Sequence, residues 1–210
     1  MNKTALIVLA LTASAWLPAQ ANLATDAAQI LNPILIDFDA YDGLLTTGPE
    51  SLGGGVTFNG DPGTELGAFI RDLGDNGAWG AGKVFAAGAF VGELRFHFAN
   101  ATRSAGGFVN HLNTSGLPFA VAVTAYGVGG NVLETYTVPV RTGIDSYNEG
   151  LFVGITRDAY DIGALSFKGG GVVLDDFSHS APIPEPGTTA MLLAGLGAVG
   201  LLMRRRKPRG

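Results

Sequence analysis

Catalysis and metal binding need nucleophiles, bases or ligands at fixed spacing, and this 210-residue chain offers few. It has no cysteine, which excludes disulfides, thiolate catalysis and Cys-ligated zinc. Its three histidines, His97, His111 and His179, lack the His-x-x-x-His spacing of a zinc helix, and no Gly-x-Ser-x-Gly elbow occurs. His97 falls on the polar phase of a strand, His111 on a loop, and His179 just before the C-terminal tail. Gly77-Ala78-Trp79-Gly80-Ala81-Gly82-Lys83 has the skeleton of a phosphate loop. Val84 stands where a Ser or Thr must hold magnesium, however, and no βαβ pattern surrounds it.

Two groupings remain. Asp37, Asp39 and Asp42 flank the end of the first expected strand, and Asp175 and Asp176 end the last. If those strands are neighbours, the carboxylates are candidate calcium ligands, since Ca²⁺ takes oxygen donors at about 2.3–2.6 Å. The spacing is not that of an EF-hand, where Tyr41 would occupy position five, and solvated loop acids are the alternative. A glycosidase would need two carboxyls about 5–10 Å apart with one pKa raised, and no such pair is legible. The second grouping suits saccharides: Trp79 beside Asp75 and Asn76, with Tyr126 and the turn residues Tyr147 and Tyr160, offers rings for stacking and polar groups for hydroxyls. The alternative is that Trp79 plugs the end of the fold.

The elements that must position these residues are strands. Glu93 to Ala99 alternates Leu94, Phe96 and Phe98 with Glu93, Arg95 and His97, one face dry and one wet. Further short runs fall at Ile34–Phe38, Gly55–Phe58, Ala68–Arg71, Gly107–Val109, Pro118–Ala125, Val132–Val140, Leu151–Thr156, Ala164–Phe167 and Val172–Phe177. Glycine-rich turns such as Gly127-Val128-Gly129-Gly130-Asn131 separate them. Asn22 to Asn32 reads as one short helix or a loose leader. No 3.6-residue apolar period persists for ten residues between 32 and 187. Many short strands with no covering helices predict an all-β, antiparallel two-sheet sandwich or jelly roll.

The two ends differ from this body. Met1-Asn2-Lys3, the apolar Ala5–Leu17 and Ala19-Gln20-Ala21 have the order of a signal peptide cleaved after residue 21. At the other end, Pro184-Glu185-Pro186 precedes an uncharged run that, counted from Gly187 to Met203, is 17 residues. As a helix at about 1.5 Å per residue it would be roughly 25 Å long, near the lower limit for crossing a bilayer. Five cations within 204–209 follow, including Arg204, Arg205 and Arg206, and they would stay on the cytoplasmic side. The expected organisation is a signal peptide over 1–21, a sandwich over 22–181 and a tail over 182–210.

This three-part tail resembles a PEP-CTERM sorting tail, a type also catalogued as an "ice-binding protein C-terminal" domain. The resemblance implies export, recognition by a membrane-embedded exosortase, brief anchoring and release to the surface or extracellular matrix. In that reading Pro184, Glu185, Pro186 and Arg204–Arg206 carry the sorting signal. Short segments such as Ala105–Val109, Val121–Tyr126 and Val173–Phe177 resemble sandwich domains of galactose-binding-like and lectin-like type.

Charge narrows the partners. All 18 acidic residues and 7 of the 13 basic ones fall within 22–186, so the exported part carries −11. Such a body repels nucleic acid. The expectation is a non-enzymatic exported protein whose body binds glycan or builds matrix, with extracellular polysaccharide as partner and no certain cofactor. A polysaccharide hydrolase or lyase and a calcium-stabilised adhesion module are the alternatives.

Overall fold

The computed structural model describes residues 20–69, 72–79, 85–88, 92–112, 120–145, 147–148, 150–182 and 195–196. The expected signal segment up to Ala19, the Pro184–Pro186 triplet and the Arg204–Arg206 cluster lie outside them. The expected 187–203 helix does too, save for helical Gly195 and Leu196. Among the described residues no helix is long and apolar enough to cross a membrane.

The body is all-β. In chain order the strands are β1 (Ala21–Ala24), β2 (Pro33–Ile36), β3 (Leu44–Leu45), β4 (Glu50–Gly53), β5 (Val56–Gly60), β6 (Glu65–Ala68), β7 (Ala78–Trp79) and β8 (Phe85–Ala87). There follow β9 (Gly92–Thr102), β10 (Ser104–His111), β11 (Ala120–Gly127), β12 (Val132–Pro139), β13 (Tyr147–Asn148), β14 (Leu151–Arg157), β15 (Ile162–Gly169) and β16 (Val172–Ser180). An eight-stranded sheet runs β1-β14-β10-β16-β8-β6-β3, with β2 also on β16. A six-stranded sheet runs β12-β11-β15-β9-β5-β4, and β13 pairs with β7 alone. Apart from that parallel β7–β13 pair the ladders are antiparallel, so the expected sandwich is present.

Phenylalanines join the two sheets. Phe96 of β9 stacks on Phe177 of β16 at 4.2 Å between ring centres and meets Phe58 at 5.4 Å, Phe38 at 6.2 Å and Phe167 at 6.3 Å. All five rings are buried. Phe38 reaches this cluster through a left-handed backbone, φ 61°. That conformation costs a non-glycine residue roughly 1–2 kcal/mol, which burying the ring offsets. The same turn ends the first expected strand at Ile36 instead of Phe38 and leaves Asp37 and Asp39 exposed.

Residues 21–36 correct the leader expected at the start of the body. Ala21–Ala24 is a strand on β14, in register from Ala21↔Arg157 to Ala24↔Gly154. A 3₁₀ turn, Ala27–Gln29, follows it, capped by Asp26 and Gln29 in a reciprocal box. The segment covers the outer side of the eight-stranded sheet, where Ala24 and Ile30 pack with Phe152 and Phe108 in a second apolar cluster. Strand β10 can therefore be buried along almost its whole length. The Ala68–Arg71 strand also shifts back to Glu65–Ala68, where Gly67 at φ 71° lets the backbone of Tyr41 approach closely.

Candidate binding face

Nothing in the described chain covers the six-stranded sheet in this way, and its outer face carries the polar side chains. Strand β9 explains why: Leu94 and Phe96 enter the core while Glu93, Arg95 and His97 point out. Cross-strand register extends this set into rows. Arg95 lies opposite Ser166 of β15 and Asn59 of β5, and Ser166 lies opposite Thr124 of β11. In the next row His97 lies opposite Ala164 and Thr57, and Ala164 lies opposite Tyr126. Small residues at 164 and 166 thus form a floor between the larger side chains of β9 and β11.

Arg95 is held firmly on this face. Its Nε and Nη2 donate to Glu93 Oε1 at 3.2 and 2.7 Å, and Nη2 also donates to Tyr126 Oη at 3.0 Å. The guanidinium lies over the Tyr126 ring, 4.3 Å from its centre, in a cation–π contact. Beside it, the Glu93 amide donates to Asp61 Oδ2 at 3.0 Å. These groups open onto a cleft of about 470 Å³ lined by Asn59, Gly60, Asp61, Glu93, Arg95 and His97. A smaller hollow of about 110 Å³ continues past Arg95 and His97 to Tyr126, Val128 and Ala164.

The electrostatics favour binding groups over a proton donor. Burial alone would raise Glu93, but hydrogen bonds from Arg95 and Ser166 and the charges of Arg95 and Lys168 outweigh it and hold the carboxyl below its ordinary range. Burial and the Arg95 charge both push His97 down. The face thus presents an ionised carboxylate, a fixed guanidinium and an imidazole that resists protonation.

The residues expected to bind saccharide are placed differently. Trp79 is fully buried and packs on Phe85 at 4.7 Å between ring centres, so it offers no ring to a ligand. It fills the interior, the alternative reading of its glycine-rich loop. Asn76 is also buried, and its amide donates to the His111 carbonyl at 3.1 Å. Asp75 is half-buried. Tyr126 alone of the four lies on the open face, towards the other end of the sandwich. Strands β2 and β16 are neighbours, with Ile36 opposite Phe177, yet the five candidate calcium ligands do not gather. Asp37, Asp39 and Asp42 are exposed, Asp175 is buried and accepts from the Asp176 amide at 2.8 Å, and Asp176 is half-buried. Among the described residues no three carboxylates or imidazoles form a group that would hold a metal.

Glu93, Arg95, Asp61 and Asn59 were not legible as a site. The alternation of β9 marks Glu93 and Arg95 as outward-facing, but their tie to Tyr126, 31 residues beyond Arg95, depends on strand order.

Residues 182–207 match the PEP-CTERM protein-sorting motif. Comparison with curated proteins gives no match.

Proposed function

We propose that this chain, which ends in a PEP-CTERM protein-sorting motif, is an exported protein whose tail is processed by an exosortase. Its β-sandwich is then released to the cell surface or extracellular matrix. The carrying observation is that the motif begins at residue 182, directly after the last body strand ends at Ser180. Replacing Pro184, Glu185 and Pro186 together with alanine tests this. The unprocessed chain should accumulate in the membrane fraction, and normal release of the variant would overturn the reading.

In this reading the body is non-enzymatic and holds matrix polysaccharide on the open face of the six-stranded sheet. The balance of Asp61 and Glu93 against Arg95 and Lys168 suits a neutral, hydroxyl-rich chain, to which carboxylate and guanidinium offer complementary hydrogen bonds. A hydrolase would need an acid with its pKa raised, and Glu93 is shifted the other way. Arg95→Ala and Tyr126→Ala should abolish retention on a panel of neutral polysaccharides. Retention equal to the parent protein would remove this face from consideration.

A further inference from the structure

We propose that the end of the sandwich bearing Arg103 and Val128 rests against the lipid headgroups while the tail is still attached. This inference rests on the sorting-tail reading and adds an orientation to it. Its first support is a short tether. Ser180 is the last residue of β16, and Ala181 alone separates it from the start of the motif at Pro182. Ser180 is pinned in place: its Oγ lies 2.6 Å from Thr102 Oγ1 and accepts from the amides of Arg103 and Ser104, each at 3.3 Å. The Ser180 carbonyl accepts from Thr102 Oγ1 at 2.8 Å, and the Ala181 amide donates to the Asn32 carbonyl at 3.1 Å. Even fully extended, the chain from Ser180 to Gly187, where the apolar run begins, reaches at most about 25 Å, roughly the length of β10.

The N-terminal segment enters at the same end. Asn22 lies opposite Thr156, and Thr156 lies opposite Ser104, whose amide meets Ser180. Three strand spacings of about 4.8 Å put Asn22 roughly 14 Å from Ser180. The Arg103 carbonyl accepts from the Arg157 amide at 2.8 Å on the same rim. The segment that follows the expected signal peptide and the segment that precedes the sorting motif therefore share one rim.

The composition of that rim suits a headgroup layer. Val128, in the turn packed over Gly163, is 80% exposed, and Leu31, next to Asn32, is 54% exposed. Arg103 lies on the β10 side of Ser180, opposite the β2 side that carries Leu31, and makes no ion pair with any described residue. Arg157 is taken up by Asp161 at 2.7 Å, and Asp158 adds one exposed acid. A cation and exposed apolar side chains are the elements of shallow interfacial contact, and the tether supplies the effective concentration.

The absence of native cysteine makes the test direct. Full-length chain carrying Arg103→Cys, Val128→Cys or, at the far end of β10, Leu112→Cys would be labelled with a polarity-sensitive fluorophore. Each would be reconstituted into phosphatidylethanolamine–phosphatidylglycerol vesicles with a headgroup-level quencher. Eight strand residues put position 112 about 26 Å from Ser104, so labels at 103 and 128 should be quenched at least about threefold more than at 112. Equal quenching at all three positions with the chain bound would overturn the orientation alone. Contrast that arises only after an inner-membrane protein extract is added would assign this rim to a protein partner and equally overturn it. Failure of the full chain to join the vesicles would remove the sorting-tail reading and the orientation together.

Discussion

Arg95 holds two partners at once, and the consequences can be measured. Because Glu93 titrates below its ordinary 4.5, its ion pair contributes stability above that pH and loses it as pH falls through the lowered value. Both partners are partly solvated, so Glu93→Gln should cost no more than about 1 kcal/mol in urea unfolding at neutral pH. The variant should also flatten the acid limb. His179 behaves oppositely to a paired histidine: burial pushes it below 6.5, against weaker opposing hydrogen bonds that the ring donates to the Ser180 and Gly54 backbone carbonyls. Its unfolded form therefore takes a proton first, and stability should decline as pH falls below about 6.5. His97 adds to the same limb. His179→Phe, which keeps a ring beside Phe98, should remove the His179 share, leaving that of His97. Trp79 gives a third test. With residues 1–21 removed it is the protein's sole tryptophan, and its emission should be blue-shifted, resistant to acrylamide and unchanged by saccharide. Quenching by saccharide would return Trp79 to the binding site.

At the scale of elements, close packing without side chains is as demanding as the aromatic core. Gly154 of β14 pairs with Gly106 of β10, and a methyl at 154 would meet the Ala105 carbonyl and lie 2.8 Å from the Gly106 Cα. Gly154→Ala should destabilise the body by roughly 1–3 kcal/mol, read as a drop in its urea midpoint. This sheet also shows why some strands were legible and others were not. Strand β9 has one covered and one open face, so its alternation reads plainly. Strand β1, Ala-Asn-Leu-Ala, carries little apolar signal and becomes a strand only because β14 offers it an edge. Strands β3, β7 and β13 have two residues each, too few for any period to appear. The candidate site failed for a related reason. An exposed tryptophan and a buried one share the same Gly-rich flanks, and only folding decides which is present.

For the whole molecule, chain order and sheet order conflict in a useful way. Strand β16 is the last body strand yet sits inside the eight-stranded sheet, between β10 on one side and β2 and β8 on the other. A chain ending at Gly171 should therefore fail to fold, while one ending at Pro182 should melt cooperatively. A cooperative transition in the shorter chain would refute this. Calcium and chelator should leave the melting midpoint of the longer chain unchanged, because no three carboxylates among the described residues converge. A calcium-dependent rise would instead revive the adhesion-module reading.

The position of β16 also determines how the body answers a pull. In the proposed membrane-tethered state, drag on the body would be transmitted through Ser180 along the axis of an interior strand. Its ladders must then slide past one another with their bonds loaded in parallel, whereas a rim strand would unzip one rung at a time. In that state the domain would be gripped by the strand it can least easily surrender, and traction should release the tail before it unravels the fold.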